Sequence, residues 1–212
     1  MTAKIHEMSY DAPVIECSNL TPTVLPDDFH SSEIARAISG FKLPRYREIP
    51  DIKLYKDQLL AYIDGVLSPL SICFDDNWLS ASMVNNYVKS KLIPAPVKKQ
   101  YGREQISRLL ITCIFKQFLP IASIDHLFRI QLKTYPLDIA YDYAATEIES
   151  ALRSEFTCEE SNLTDSATMV TRESLLVRSA ASAFASKAYL LGYLAYCGIN
   201  TEYNSPQVGG YY

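Results

Sequence analysis

Proline-interrupted runs of helical periodicity constrain the fold of this chain more than any other feature of its sequence. Apolar residues recur at three- and four-residue spacing over long stretches, which is typical of helices that bury one face. Pro69, Pro94, Pro120 and Pro136 divide these stretches, because proline removes a backbone donor and clashes with the preceding helical turn. Alternating apolar runs are few and only 7 of 212 residues are Gly, which disfavours an all-β fold with many tight turns. The pattern predicts an all-α, mainly helical protein.

The same pattern divides the chain into four segments. Residues 1–29 are rich in Pro, Thr and Asp without periodicity, and we expect an N-terminal arm there. Residues 30–135 are predicted to form one domain, and residues 136–200 a C-terminal helical region. Residues 201–212 are predicted to be a mobile tail.

Capping residues predict where individual helices begin. Ser31 is a candidate N-cap for a short first helix, and Asp51 for a helix over about 52–67. Ser80 is a favourable N-cap for a helix over about 81–91. After the prolines that end this helix, Val97 to Tyr101 is predicted to form a short strand or β-ribbon.

Composition predicts a cytoplasmic protein with reduced thiols. The five cysteines are odd in number and form no C-x-x-C pair, which disfavours both a disulfide framework and a zinc finger. The first 17 residues contain no apolar stretch of the kind found in signal peptides. The most apolar stretch, over 175–199, contains Arg178 and Lys187, so it predicts a buried core helix and no membrane partner. The cysteines are Cys17, Cys73, Cys113, Cys158 and Cys197.

The sequence predicts neither an enzyme nor a metal or cofactor site. His6, His30 and His126 lack the spacing of metal-binding histidine pairs. No G-x-S-x-G motif and no glycine-rich phosphate loop is present. The sequence therefore predicts no catalytic residues, no metal ligands and no cofactor.

Positive charge is concentrated in one short block. Residues 80–108 carry six Lys and Arg against one acid, whereas the chain as a whole has a net charge of −4. Residues 1–79 carry seven against twelve acids, and residues 109–212 seven against eleven. A cationic block between acidic ones is typical of a protein in which one element contacts phosphate and the remainder stays soluble.

The helix that follows Ser80 has one polar side without any acid. At 100° per residue its apolar residues occupy one half, and the other half carries Ser82, Asn85, Asn86 and Lys89. Asparagine can bond adenine through a bidentate amide contact, and Ser and Lys reach phosphates or base edges. These residues are therefore predicted to enter the major groove of double-stranded DNA, the alternative being that they are ordinary surface residues.

A stiff basic segment follows this helix. Pro94 and Pro96 impose an extended chain that presents Lys98 and Lys99, and Arg103 begins the next helix. We predict that these three cations contact the DNA backbone, where four to six phosphate contacts give a log–log salt slope on the order of −4 to −5. The alternative is that the two lysines are solvated charges without a partner.

The region from Leu79 to Ile130 resembles the MerR-type winged helix. The resemblance rests on two segments, Ser80-Ala81-Ser82-Met83-Val84-Asn85-Asn86-Tyr87-Val88-Lys89 and Lys91-Leu92-Ile93-Pro94-Ala95-Pro96-Val97-Lys98-Lys99-Gln100-Tyr101. Together with Leu43-Pro44-Arg45-Tyr46 and Tyr55-Lys56-Asp57-Gln58, they are closer still to a bacterial family catalogued as domain of unknown function 1836. The chain departs from the MerR pattern in that the unit is internal, the wing lacks the usual arginines, and no simple heptad repeat follows.

The resemblance implies a winged helix-turn-helix with a small β-wing and a role in transcription. It also implies a homodimer formed by the C-terminal helices and a small-molecule effector bound there. An alternative function is a protein-interaction adaptor whose winged helix does not bind DNA. Tyr189, Tyr193 and Tyr196 share one face of the last helix and are interpreted as core, a dimer seam or a pocket wall.

Overall fold

The computed structural model describes residues 25–74, 77–157 and 169–198. Over these residues the chain forms seven α-helices and one two-stranded antiparallel sheet, which confirms the prediction of a mainly helical fold. Most of the predicted arm, residues 1–24, and the predicted tail lie outside the described residues, as do Cys17 and Cys158.

The elements follow one another along the chain with short connections. The helices are α1 (Glu33–Ser39), α2 (Lys56–Leu67), α3 (Ala81–Lys89), α4 (Arg103–Phe115), α5 (Ile121–Thr134), α6 (Leu137–Thr157) and α7 (Arg172–Tyr196). The strands are β1 (Leu54–Tyr55) and β2 (Gln100–Tyr101), and a single 3₁₀ turn, Ser68–Leu70, follows α2.

The N-cap of α3 agrees with its prediction, whereas the predicted N-caps of α1 and α2 were wrong. Ser80 caps α3, because its Oγ accepts a hydrogen bond from the Met83 N–H at 3.2 Å. The cap of α1 is Ser32 rather than Ser31. Asp51 caps no helix, and α2 begins only at Lys56 because the preceding Leu54 and Tyr55 form β1.

The sheet joins two segments that are distant in sequence. Leu54 pairs with Tyr101 and Tyr55 pairs with Gln100, in antiparallel register. This pairing fixes the beginning of α2 beside the strand that leads into α4. No local pattern indicates such a pair, because each strand has only two residues and the partner is more than forty residues away.

The core is formed around α6, which packs against α1, α4, α5 and α7. Buried small residues, among them Ala181, Ala185, Ala188 and Gly192, lie on the side of α7 that packs in the core. A Cβ at Gly192 would lie only 3.2 Å from the Cys73 Sγ and 3.3 Å from the Phe156 ring. One side of α7 is therefore buried, as its sequence predicts.

An aromatic cluster attaches the residues before α1 to α7. The Phe29 side chain is fully buried, and its ring centroid lies 5.3–5.4 Å from those of Tyr189, Tyr193 and Tyr196. The ring of Phe156 on α6 completes the contact at 5.9 Å. Of the alternatives for the tyrosine face, core packing therefore accounts for its contacts. Phe29, which the sequence assigned to the N-terminal arm, is part of this core.

A buried carboxylate holds the loop after α1 against α6. Glu149 is 3% exposed and accepts hydrogen bonds from Arg45 at 2.7 and 3.0 Å and from Lys42 at 3.0 Å. The Leu43 backbone N–H donates to the same carboxylate at 3.0 Å. Burial raises the Glu149 pKa, but the bonds from Arg45, Lys42 and Leu43 outweigh it and leave the pKa below its usual value. We call these four residues the Glu149 clamp.

The described cysteines are free thiols. Cys73 and Cys113 are buried, and burial raises the pKa of each to about 12. Cys197 at the end of α7 is exposed.

Among the residues described, no helix combines the length and apolar character that a membrane crossing requires.

Candidate nucleic-acid interface

Helix α3 turns one polar side to solvent, as its sequence pattern predicts. Val84 and Tyr87 are buried against the domain, and Leu92 and Ile93 anchor the chain after the helix. The exposed positions include all four residues predicted to contact bases, namely Ser82, Asn85, Asn86 and Lys89. Because Tyr87 is only 6% exposed, it belongs to the core rather than to the polar surface.

The end of α3 is fixed by a Schellman motif. Lys91 has a positive φ of 62°, its N–H donates to the Val88 carbonyl, and the Leu92 N–H donates to the Tyr87 carbonyl. This left-handed position ends the helix at Lys89, two residues earlier than predicted. A lysine takes the place usually occupied by glycine, so one more cation lies at the edge of the polar side of α3.

Lys98 and Lys99 are the two central residues of a β-turn at the tip of a hairpin. The backbones of Val97 and Gln100 exchange two hydrogen bonds, of 3.1 and 3.0 Å, across the turn. Lys98 and Lys99 have φ values of 51° and 64°, and both are exposed. Positive φ at both central positions is the condition of the hairpin turn that normally selects Asn-Gly. We call Val97–Gln100 the lysine hairpin.

An open groove lies between α3, the start of α2 and the lysine hairpin. It contains three of the predicted site residues, Asn85, Lys89 and Lys99. Ser82 and Asn86 lie on the exposed side of α3 outside this groove, and Lys98 lies at the tip of the hairpin. The full lining is Tyr55, Lys56, Asp57, Asn85, Val88, Lys89, Pro96, Lys99 and Tyr101.

Lys56 is the residue of this groove that the charge pattern missed. Its Nζ donates a hydrogen bond of 2.7 Å to the Asn85 Oδ1, which joins the first turn of α2 to the middle of α3. An ammonium group only donates, so the Asn85 amide must turn its oxygen toward Lys56 and its NH₂ group away. Lys56 falls in the acidic first third of the chain, and only the resemblance through Tyr55-Lys56-Asp57-Gln58 indicated this segment.

Arg103 is directed into the protein rather than toward the groove. Its Nε donates to the Ile49 carbonyl at 2.9 Å, and its guanidinium carbon lies 5.8 Å from the centre of the Tyr46 ring. A longer contact of 3.5 Å joins it to the exposed Asp51. These contacts attach the beginning of α4 to the loop before β1, a structural role that sequence position alone did not indicate.

The exposed lysines of the interface form no ion pair within the described residues. Over the described ranges, Lys89, Lys98 and Lys99 take part in no ion pair. Asp57 is the one acid in the lining of the groove, against Lys56, Lys89 and Lys99. The surface is therefore positively charged although the protein is acidic overall.

Tyr87 and Tyr101 support this surface from beneath. Both are buried, and burial raises the pKa of each hydroxyl above its usual value, so both are neutral at physiological pH.

In the part of the chain that the structure describes, no group of three or more His, Cys, Asp and Glu is arranged to bind a metal ion.

Comparison with known proteins gives one match. No curated protein and no solved structure matches the chain. A family model matches residues 44–145, which include the lysine hairpin and every residue that lines the groove but only Arg45 of the Glu149 clamp. The resemblance stated from the sequence is confirmed in its family part: over residues 44–145 the chain matches the family described as Domain of unknown function (DUF1836).

Proposed function

We propose that this protein binds double-stranded DNA as a transcriptional regulator of winged helix-turn-helix type. The observation that carries the proposal is the position of the exposed side of α3 next to the lysine hairpin, with an open groove between them. α3 would enter the major groove with Ser82, Asn85, Asn86 and Lys89. The hairpin would contact the flanking phosphates with Lys98 and Lys99.

The strained turn of the lysine hairpin supports this proposal. Each non-glycine residue in the left-handed region costs on the order of 1 kcal/mol, and the turn contains two of them in succession. Asn-Gly would form the same turn without this cost. A chain that places two lysines there presents two adjacent cations at the most exposed point of the hairpin, which is an arrangement suited to a polyanion.

The sequence predicted that Arg103 contacts the DNA backbone, whereas the proposal gives it a positioning role. Its contacts with Ile49 and Tyr46 position the segment that carries the hairpin, so it acts through the fold rather than through a free phosphate contact. Lys56 takes its place among the cations at the groove. With Lys56, Lys89, Lys98 and Lys99, about four phosphate contacts give a log–log salt slope of about −3.6.

The test is a charge-reversal experiment on duplex DNA. The double variant Lys98→Glu with Lys99→Glu should lose binding to duplexes of any sequence, and its salt slope should become less steep by about 1.8. The matched control is Lys133→Glu with Arg153→Glu, two exposed cations on α5 and α6 that change the net charge equally. Fluorescence anisotropy at several salt concentrations measures both quantities.

The control variant decides what a loss of binding means. If both double variants lose affinity equally, the effect is one of net charge, and the hairpin has no special part. If the wild-type chain binds no duplex selected from a random pool at low salt, the proposed function is wrong.

A homodimer belongs to the same proposal. Leu190 on α7 is 63% exposed, and Tyr193 and Tyr196, whose inner sides pack against Phe29, remain 39% and 44% exposed. A second copy would cover these apolar side chains, and a two-fold dimer would present two α3 helices to a symmetric DNA site. Leu190→Glu should then give a monomer by sedimentation equilibrium and weaken binding to a palindromic site. The resemblance to MerR-type proteins also implies a small-molecule effector that binds this C-terminal region, and the proposal includes it.

One observation favours a protein-interaction adaptor as the second candidate. Asp57 lies in the groove, and the blocks on either side of the basic segment are acidic. An adaptor predicts that the groove binds an acidic peptide with a micromolar or better Kd while random duplex DNA does not bind. The DNA titration described above therefore also separates these two functions.

A further inference from the structure

The solvent face of the small sheet and its hairpin carries a row of three side chains. Tyr55 pairs with Gln100 across β1 and β2, and Gln100 pairs with Val97 across the lysine hairpin. Residues directly opposite each other in an antiparallel ladder point to the same side of it, so these three side chains lie next to one another. The neighbouring pair, Leu54 and Tyr101, points to the opposite side, where Tyr101 is buried. We call Tyr55, Gln100 and Val97 the sheet row.

Two members of the sheet row are exposed although they are largely apolar. Tyr55 is 57% exposed and Val97 is 58% exposed, and Gln100 between them is half-buried. Single exposed apolar side chains are ordinary, but these two share one face at two strand separations, about 10 Å. Covering such a surface with a ligand is favourable, because it removes apolar area from water.

The lysines of the interface adjoin both ends of the sheet row. Lys56 follows Tyr55 in the chain, and Lys98 and Lys99 follow Val97. Tyr55 and Lys99 also both belong to the lining of the groove beside α3. A ligand that covers the row therefore meets cations at each end, and it should combine negative charge with an apolar part.

A DNA strand combines these two properties, because its phosphates are anionic and its deoxyribose rings present C–H groups between them. A protein partner fits less well, since a stable interface buries roughly 800 Å² on each side and the row offers two large apolar side chains. The row, about 10 Å wide, is also broader than the minor groove of about 6 Å. It therefore fits the outer edge of one strand better than the floor of that groove.

We propose that the sheet row packs against the deoxyribose rings of one strand of the bound duplex. Tyr55 and Val97 cover sugar C–H groups, and the Gln100 amide donates to a phosphate oxygen between them. This inference rests on the proposed DNA binding and adds to it a contact that does not depend on charge. The apolar contact contributes affinity at every salt concentration, whereas the contribution of the lysines falls as salt rises.

The test is the double variant Tyr55→Ser with Val97→Thr. Serine is favoured at the N-cap of α2, the position of Tyr55, and threonine keeps the branched shape and strand preference of Val97. Duplex DNA is titrated at several salt concentrations and followed by fluorescence anisotropy. Affinity should fall about tenfold at each concentration while the salt slope stays the same. Lys98→Glu with Lys99→Glu changes the slope instead, so the two kinds of contact are separated.

The matched control is Ile139→Thr with Leu175→Ser. Both side chains are 55% exposed and apolar, and they lie on α6 and α7, so their loss should leave duplex affinity unchanged. Circular dichroism checks that each variant is folded. If the double variant of the sheet row does not fold, Val97→Thr alone decides, with an expected loss of about threefold.

Calorimetry gives a second readout that a purely structural role would not change. Covering apolar surface makes the heat-capacity change of binding negative, so this change should be less negative in the double variant than in the wild type. The inference is overturned if the wild type binds duplex DNA and the folded double variant binds it equally well, or if the control loses as much affinity. If the wild type binds no duplex at all, the proposed function fails, and this inference fails with it.

Discussion

The Glu149 clamp and the lysine hairpin use basic residues in opposite ways. In the clamp, Lys42 and Arg45 form ion pairs with a buried carboxylate, so that carboxylate neutralises their charge within the fold. In the hairpin, Lys98 and Lys99 are exposed, have no ion pair in the described part of the chain, and occupy strained backbone positions. The comparison separates cations that stabilise this protein from cations that are available to a ligand.

The largest effect is expected from removing the carboxylate of the clamp. Glu149→Ala leaves Arg45, Lys42 and the Leu43 N–H without their acceptor, and should lower the free energy of unfolding by about 3 kcal/mol. This value is at the lower end for a buried pair, because Lys42 and Arg45 are partly exposed and water can reach them. Urea unfolding measures the change, and a loss below about 1 kcal/mol would contradict the stabilising role.

The clamp also predicts a dependence of stability on pH. The pKa of Glu149 is lower in the folded than in the unfolded chain, so its contribution is present above the unfolded value of about 4.3 and is lost as pH falls through the folded value. Unfolding free energies between about pH 5 and pH 3 should therefore fall more steeply in the wild type than in Glu149→Gln. Equal slopes would show that other carboxylates control the acid limb.

The second prediction acts on the hairpin and should move stability and binding in opposite directions. Lys98→Asn with Lys99→Gly supplies the residues that the turn prefers, and should raise the unfolding free energy by about 1 kcal/mol. The same change removes two cations from the proposed DNA surface and should weaken duplex binding about tenfold. Parallel urea and anisotropy measurements test both. A variant that gains stability and keeps its affinity would show that the lysines have no part in binding.

A smaller effect is expected on base preference. Because Lys56 holds the Asn85 oxygen, the free NH₂ group should favour a base that presents acceptors, such as guanine, over the adenine contact expected from sequence. Lys56→Met releases the amide and should shift the preference toward adenine about fivefold at one position. Selection from a randomised duplex pool measures this shift. Lys53→Met, at an exposed position outside the groove, is the control that should leave the preference unchanged.

The smallest effect concerns the end of α3. Lys91→Gly relieves a left-handed residue and should stabilise the protein by about 0.5 kcal/mol. Ser90→Gly is the matched control, since Ser90 has a right-handed φ of −77° and the change should destabilise. Thermal unfolding of the two variants should show shifts of opposite sign.

Local patterns predicted the parts of the interface that depend on neighbouring residues. The Ser80 cap, the buried side of α3 and the exposure of Asn85 and Lys89 all follow from capping and periodicity. For Val97 to Tyr101 the sequence predicted a short strand or a β-ribbon, and the segment forms the lysine hairpin followed by the strand Gln100–Tyr101.

What sequence could not predict depends on contacts between distant segments. Lys56 reaches Asn85 across 29 positions, and Glu149 meets Arg45 across 104. The start of α2 was wrong for the same reason, because β1 exists only through its pairing with β2. Arg103 shows the same limit, since its position beside a basic hairpin gave no indication of its contacts with the Ile49 carbonyl and the Tyr46 ring.

The course of α6 has a practical consequence for anyone who would cut this chain. The family match ends at residue 145, in the middle of a helix that continues to Thr157. A fragment trimmed to the match would lose α1, the end of α6 with Glu149, Leu152 and Phe156, and all of α7, and would expose the apolar surface of α4 to solvent. The family match is therefore shorter than the packed helical unit, and an expression fragment should keep α1, the whole of α6 and α7.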